Sequence, residues 1–195
     1  MTRPAFARSL PLALALLAGA CSSTTGRGAV ETAPFTAENA RFFDDAVDYI
    51  ENPEELGGRL ASDWRAQIDH LSRESDLIVP VRVETVSEGT EASSSSSFTL
   101  TAVGTGDALK GRLTGDRRVS LRVTEGSVGF QTVRNNIARV QSREYLLFAR
   151  SHTDPEGGVR PRWHLSPHTP RLVERVRDVV GSPDSSGSER IIRQR

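Results

Sequence analysis

Leu77-Ile78-Val79-Pro80-Val81-Arg82-Val83 is the stretch on which the fold turns. Ahead of it, Leu56, Leu60, Trp64, Ile68 and Leu71 recur at intervals of four and three, the spacing of one helix face. From Leu77 the interval drops to two: Leu77, Val79, Val81 and Val83 alternate with Ile78, Pro80 and Arg82, and Val86 extends the run. Successive side chains of a strand point to opposite faces, so this change of period marks a helix giving way to a strand. Pro80 has no N–H to offer a ladder, which places it at an edge or a bulge.

Working outward, Phe98, Leu100 and Ala102 alternate with Thr99, Thr101 and Val103, and Val119, Leu121 and Val123 alternate with Ser120 and Arg122. Tyr145 to Ala149 is a continuous apolar run, and the run from Arg160 to Leu165 contains Trp163. These read as four further strands. Between the third and fourth, Phe130, Val133, Ile137 and Val140 have helical spacing. Thr169-Pro170 opens a terminal helix with the stripe Leu172, Val173, Val176, Val179 and Val180, closed by Gly181. Upstream, Thr36 is a cap for a first helix carrying Phe43, Val47 and Ile50. Asn52-Pro53-Glu54-Glu55 opens the second. The expectation is an α+β domain: a five-stranded antiparallel sheet with two N-terminal helices and one C-terminal helix. Three strands, a helix and two strands is an order that resembles OB-type barrels. Open α+β sheets packed by the outer helices share it.

At the amino end, Arg3 and Arg8 precede the apolar run Leu14-Ala15-Leu16-Leu17-Ala18-Gly19-Ala20, which ends at Cys21, the only cysteine. A basic head, a short apolar stretch and small residues before the cut site make a secretory signal, too short for a lasting membrane span. With cysteine next, the segment resembles the lipobox of bacterial lipoproteins, with Ala18 where that family usually has Leu. The resemblance covers only the first two dozen residues. It implies a lipidated Cys21, a signal peptide over 1–20 and a mature chain anchored in the bacterial cell envelope. Ser22 favours sorting to the outer membrane over retention in the inner one. The same residues also allow simple secretion, with cleavage after Ala20 and a free thiol. Residues 21–35 are mostly Ser, Thr, Gly, Ala and Pro without apolar periodicity, which reads as a flexible tether. Residues 182–195 have the character of a disordered tail, leaving 36–181 as a single globular domain.

Loss of residues 1–20 would leave 23 basic against 25 acidic side chains, a net of −2. That balance argues against general nucleic-acid binding. A lone cysteine permits no disulfide within the chain, and no Gly-x-Ser-x-Gly elbow occurs. The glycines around Lys110 (Gly104, Gly106, Gly111) fit neither the dinucleotide fingerprint nor the P-loop, so they read as a strand connection, and no cofactor is expected. Ser127 reads as a turn serine. Asp44-Asp45 and Glu54-Glu55 read as solvated helix faces, and residues 87–97 (SEGTEASSSSS) as a flexible loop.

Two features remain for function. Residues 21–80 carry a net of −7 and residues 81–195 a net of +5. Arg117, Arg118, Arg122, Arg150, Arg160 and Arg162 are therefore candidates for a face that meets an anionic glycan or an envelope protein. Acidic helices lying beside a basic sheet account for the same numbers. The four histidines read mainly as surface and loop residues; with Asp154, His152, His164 and His168 are candidates for a hydrolase or metal site if they converge. The leading expectation is a lipid-anchored, non-catalytic accessory or binding protein, with that envelope enzyme as the alternative.

Overall fold

The computed structural model describes residues 32–90, 95–113, 115–154 and 157–182. The signal, Cys21 and the tail beyond Ser182 lie outside them. The alternation that begins at Leu77 is realised as the longest strand of a mixed α+β fold. In chain order the strands are β1 (Ala33–Pro34), β2 (Ala46–Val47), β3 (Leu77–Thr90), β4 (Ser96–Gly104), β5 (Arg118–Thr124), β6 (Glu144–Thr153) and β7 (Val159–Pro167). The helices are α1 (Gly58–Glu74), α2 (Phe130–Asn135), α3 (Ile137–Val140) and α4 (Pro170–Val180).

The five long strands lie in the order β7-β6-β3-β4-β5, every neighbouring pair antiparallel. This is the neighbour order that a five-stranded barrel would need, but the barrel expected as one reading is not formed. The sheet is a curled half-barrel with β5 and β7 left as separate ends. Two short parallel strands bring the count to seven: β2 on the outer edge of β7 and β1 on β6. Since β7 already occupies one side of β6 at residues 152 and 153, β1 must take the side that β3 vacates below Leu77.

Alternation divides the apolar side chains between two faces. Val79, Val81, Val83, Leu100, Leu121, Leu147, Trp163 and Leu165 point into the curl, where Phe130 and Val133 of α2 and Val140 of α3 close over them. Ile78, Leu146 and Phe148 point the other way, against Trp64, Ile68 and Leu71 of α1, Leu172 and Val176 of α4, and Phe43. Burial of each such side chain contributes about 1.5–3 kcal/mol.

Several expected boundaries shift. Residues 36–50 are not a helix: they hold one 3-10 turn (Asn39–Arg41) and then β2. Pro53–Glu55 form a second 3-10 turn, and α1 starts only at Gly58. The helix between the third and fourth long strands breaks at Asn136 into α2 and α3. The described ends of the serine-rich segment are strand, since β3 runs to Thr90 and β4 begins at Ser96. The fold also reaches further upstream than composition suggested, with β1 at Ala33. By contrast, α4 has the expected bounds, with the Thr169 hydroxyl accepting the Leu172 N–H at 3.2 Å.

The connection around Lys110 does more than join β4 to β5. Leu109 N–H donates to the Ile78 carbonyl and Ile78 N–H to the Lys110 carbonyl, at 2.8 and 3.0 Å. Thr105 N–H donates to the Pro80 carbonyl at 2.9 Å. The loop thus covers the stretch of β3 that β4 does not reach. The missing N–H of Pro80 points to this irregular side, where no regular ladder needs it. The Lys110 ammonium reaches back to the Ser72 and Arg73 carbonyls at 3.2 and 2.5 Å. A cation there satisfies orphan carbonyls at the negative end of α1.

Candidate functional site

The densest group of buried charge sits where β2 meets β7. Asp45 N–H donates to the Trp163 carbonyl and Asp48 N–H to the Leu165 carbonyl, both at 2.9 Å, which binds residues 45–48 along the β7 edge. Alternation on β7 sends Trp163 and Leu165 into the curl and His164 and Ser166 to the opposite face. There His164, 2% exposed, meets two carboxylates: Nδ1 lies 2.9 Å from Asp44 Oδ1 and Nε2 lies 3.2 Å from Asp48 Oδ2. The Ser166 hydroxyl donates to that same Asp48 oxygen at 2.5 Å. Burial alone would push the imidazole down, but the hydrogen bonds and charge of Asp44 and Asp48 outweigh it and raise His164 to about 10. It is an imidazolium at neutral pH.

Next to it, Asp45 is 3% exposed and ion-paired with Arg162, and the Trp163 N–H donates to its Oδ1 at 3.3 Å. Burial raises its carboxyl to about 6, against the pull of Arg162. The reading of Asp44-Asp45 as a solvated helix face is thereby corrected. Asp45 adopts a φ of 52°, a left-handed conformation that Asp tolerates better than most residues, and this turns the chain into β2.

Chemically the group is closed. The serine donates to the acid rather than to the histidine, so no activated nucleophile results. The two carboxylates occupy opposite edges of the ring and leave no shared point for a metal. Among the described residues no three His, Cys, Asp or Glu side chains converge for one.

The other candidates are held apart. His152 lies between the rings of Phe35 and Phe43, at centroid distances of 5.2 and 5.7 Å, and is 1% exposed. Asp154 pairs with Arg160 at 2.9 Å and takes the Gly158 N–H at 2.6 Å. His168 is exposed, 3.8 Å from Glu144. His152 and His164 are thus buried rather than surface or loop residues, and the four members of the expected enzyme or metal set have separate surroundings. Ser127 is a turn serine as expected, bonded to both backbone groups of Thr124.

The arginine candidates are mostly matched. Arg118 pairs with Glu84 at 3.1 Å, Arg150 with Glu74, Arg160 with Asp154 and Arg162 with Asp45, while Arg117 donates to the Gly106 carbonyl. Arg122 is exposed on β5 opposite Thr99. The face of β4 and β5 that points away from the curl carries half-buried Thr99 and Thr101 beside exposed Ser120, Arg118 and Arg122. A cavity of about 360 Å³ opens between α1 and α4 over Trp64 and Ala61, with Arg65, Arg171, Glu174 and Arg175 on its walls. Its charges are largely paired within the chain, Arg171 with Glu54 and Glu174, and Arg175 with Asp69.

No protein-family model matches the chain, and no curated protein sequence does.

Proposed function

We propose that the chain is a lipid-anchored, non-catalytic accessory or binding protein of a bacterial cell envelope, tethered through Cys21 at the outer membrane. The observation that carries this reading is the run ending in Leu17-Ala18-Gly19-Ala20-Cys21 behind Arg3 and Arg8. Buried acyl chains contribute about 0.8 kcal/mol per CH₂, so two or three of them hold a small domain on the membrane. Confinement raises the effective concentration of partners on the same surface, so a weak binding face suffices. The hydroxyl and arginine surface of β4 and β5 is the face we assign to such a partner, an anionic glycan or an envelope protein. The self-satisfied bonding of Asp44, Asp48, His164 and Ser166 supports a structural rather than a catalytic role for the buried polar group.

The test is Cys21→Ser in the full chain. The expected outcome is transfer from the membrane fraction to the soluble fraction, with loss of the acyl mass. Unchanged fractionation and an unmodified Cys21 in the parent protein would remove the anchor and the reading with it.

A further inference from the structure

Residues 32–48 cross the outer face of the sheet as a strap, and three of the four histidines hold it. β1 pairs with β6 at His152 and Thr153, and Phe35 N–H donates to the Thr153 carbonyl at 3.0 Å. Phe35 and Phe43 enclose His152, while Phe42 stacks on His70 of α1 at 3.7 Å with the rings 22° apart. Asp44 and Asp48 then grip His164, and Arg162 lies over the Phe35 ring at 4.3 Å while pairing with Asp45. The two aromatic clasps differ from the acidic one. Neither ring nitrogen of His152 makes a well-formed hydrogen bond, and the buried Nε2 of His70 makes none.

We propose that residues 32–48 form an acid-released strap, in which protonation of His152 and His70 opens the aromatic clasps while the rest of the sheet stays folded.

The surroundings of each ring decide the direction. His152 faces Arg150 on its own strand and Arg160 across on β7, with Asp76 from the turn before β3; the strap supplies only aromatic rings and the backbone of Ala33 and Pro34. His70 faces Arg73 and Glu74 on α1, Arg150 from β6 and Glu38 from the strap. Burial is the largest influence on both and pushes both imidazoles below their ordinary value. The aromatic faces, the Ala33 and Pro34 backbone at His152 and the Glu74 and Glu38 carboxylates at His70 favour the charged rings, but the loss of hydration on burial outweighs them. Sign follows from linkage: a base with a lowered folded-state pKa leaves docking intact above about 6.5 and weakens it as the pH falls below that value. Asp45 works in the opposite sense, since its carboxyl takes up a proton at about 6 and is then cheaper to bury. His164 keeps its charge throughout this range and holds the β2 end longest. The strap itself stands on these contacts alone; its use rests on the lipid-anchor reading. Release of the aromatic clasps would let residues 32–43 extend, adding at most roughly 40 Å to the reach of the domain from its anchor.

The measurement is amide hydrogen exchange on the full-length chain in detergent at about pH 7.5 and about pH 5, corrected for intrinsic rates. Phe35 and Phe43 report the aromatic clasps, Asp48 the acidic clasp and Leu100 the sheet. We expect protection of Phe35 and Phe43 to fall by about tenfold or more on acidification, with Leu100 unchanged and Asp48 keeping more of its protection than either phenylalanine. The double variant His70→Phe/His152→Phe is expected to keep strap protection to within about twofold. Unchanged strap protection in the parent, or an equal loss in the double variant, overturns the proposal. Should that variant not fold, an NMR titration of the parent decides: both imidazoles must titrate below about 6.5. Ordinary titration of either one overturns the strap, and neither readout depends on lipidation of Cys21.

Discussion

A charged imidazole sealed from water needs a source of compensation, and at His164 it is one carboxylate on each ring nitrogen. Removing one member of such a buried group leaves the others unpaired, which costs about 3–5 kcal/mol. The sign of the pH dependence follows from the raised folded-state value of about 10 against about 6.5 in the unfolded chain. The native protein holds the extra proton between those values. Its stabilising contribution is therefore complete below about 6.5 and is lost as the pH rises through about 10. The urea midpoint should decline from about pH 7 toward about pH 10, and His164→Gln should lower it at neutral pH and flatten the slope. A parent midpoint that stays level over that range would show that the proton is not held. None of this was legible in the residues themselves. His164 lies 120 and 116 residues from Asp44 and Asp48, so only the parallel pairing of β2 with β7 brings it between them.

Among the elements, α4 and the five long strands were legible because each buries one stripe or face whose period matches its geometry. The first expected helix shows why the same signal failed over residues 36–50. Phe43, Val47 and Ile50 have helical intervals, yet Phe43 packs in the cluster under α1 and Val47 in the cluster inside the curl. They straddle the sheet edge, so their spacing reflects a chain passing between two cores rather than one helix face. What fixes that passage is close approach to α2. Gly129, with an ordinary φ of −73°, sits so near β2 that an added Cβ would lie 2.6 Å from Ala46 Cα and closer still to the Asp45 carbonyl. Those are backbone atoms and cannot swing aside. Gly129→Ala should therefore destabilise the protein by about 3 kcal/mol, at the upper end for overpacking, and alanine is also the poorer residue at this N-cap position. Chemical denaturation checks the size. A neutral or stabilising result would mean that β2 can shift away from α2 without loss.

At the scale of the molecule, the order of strands was readable but closure was not, because closure depends on whether two end strands share a ladder. Here β7 gives its outer edge to β2 instead, and the Asp45 side chain takes the Trp163 N–H. What still ties the two ends of the curl is a side chain: Trp163 Nε1–H donates to the Arg122 carbonyl of β5 at 3.2 Å. Trp163 is 1% exposed and is the largest fully buried side chain, so it both fills the curl and spans its opening. Trp163→Phe keeps an aromatic ring but deletes the donor, leaving the Arg122 carbonyl without that bond. The bond contributes about 1 kcal/mol, and the smaller ring adds a packing loss of similar size. The bond has a local signature that the packing loss lacks. If the tryptophan holds β5 to β7, amides of β5 such as Leu121 should lose protection by about tenfold beyond those of β3 and β6, which are anchored on both edges. An equal loss across all the strands would show that Trp163 acts as core alone, with the curl held open or shut by β2 and α2.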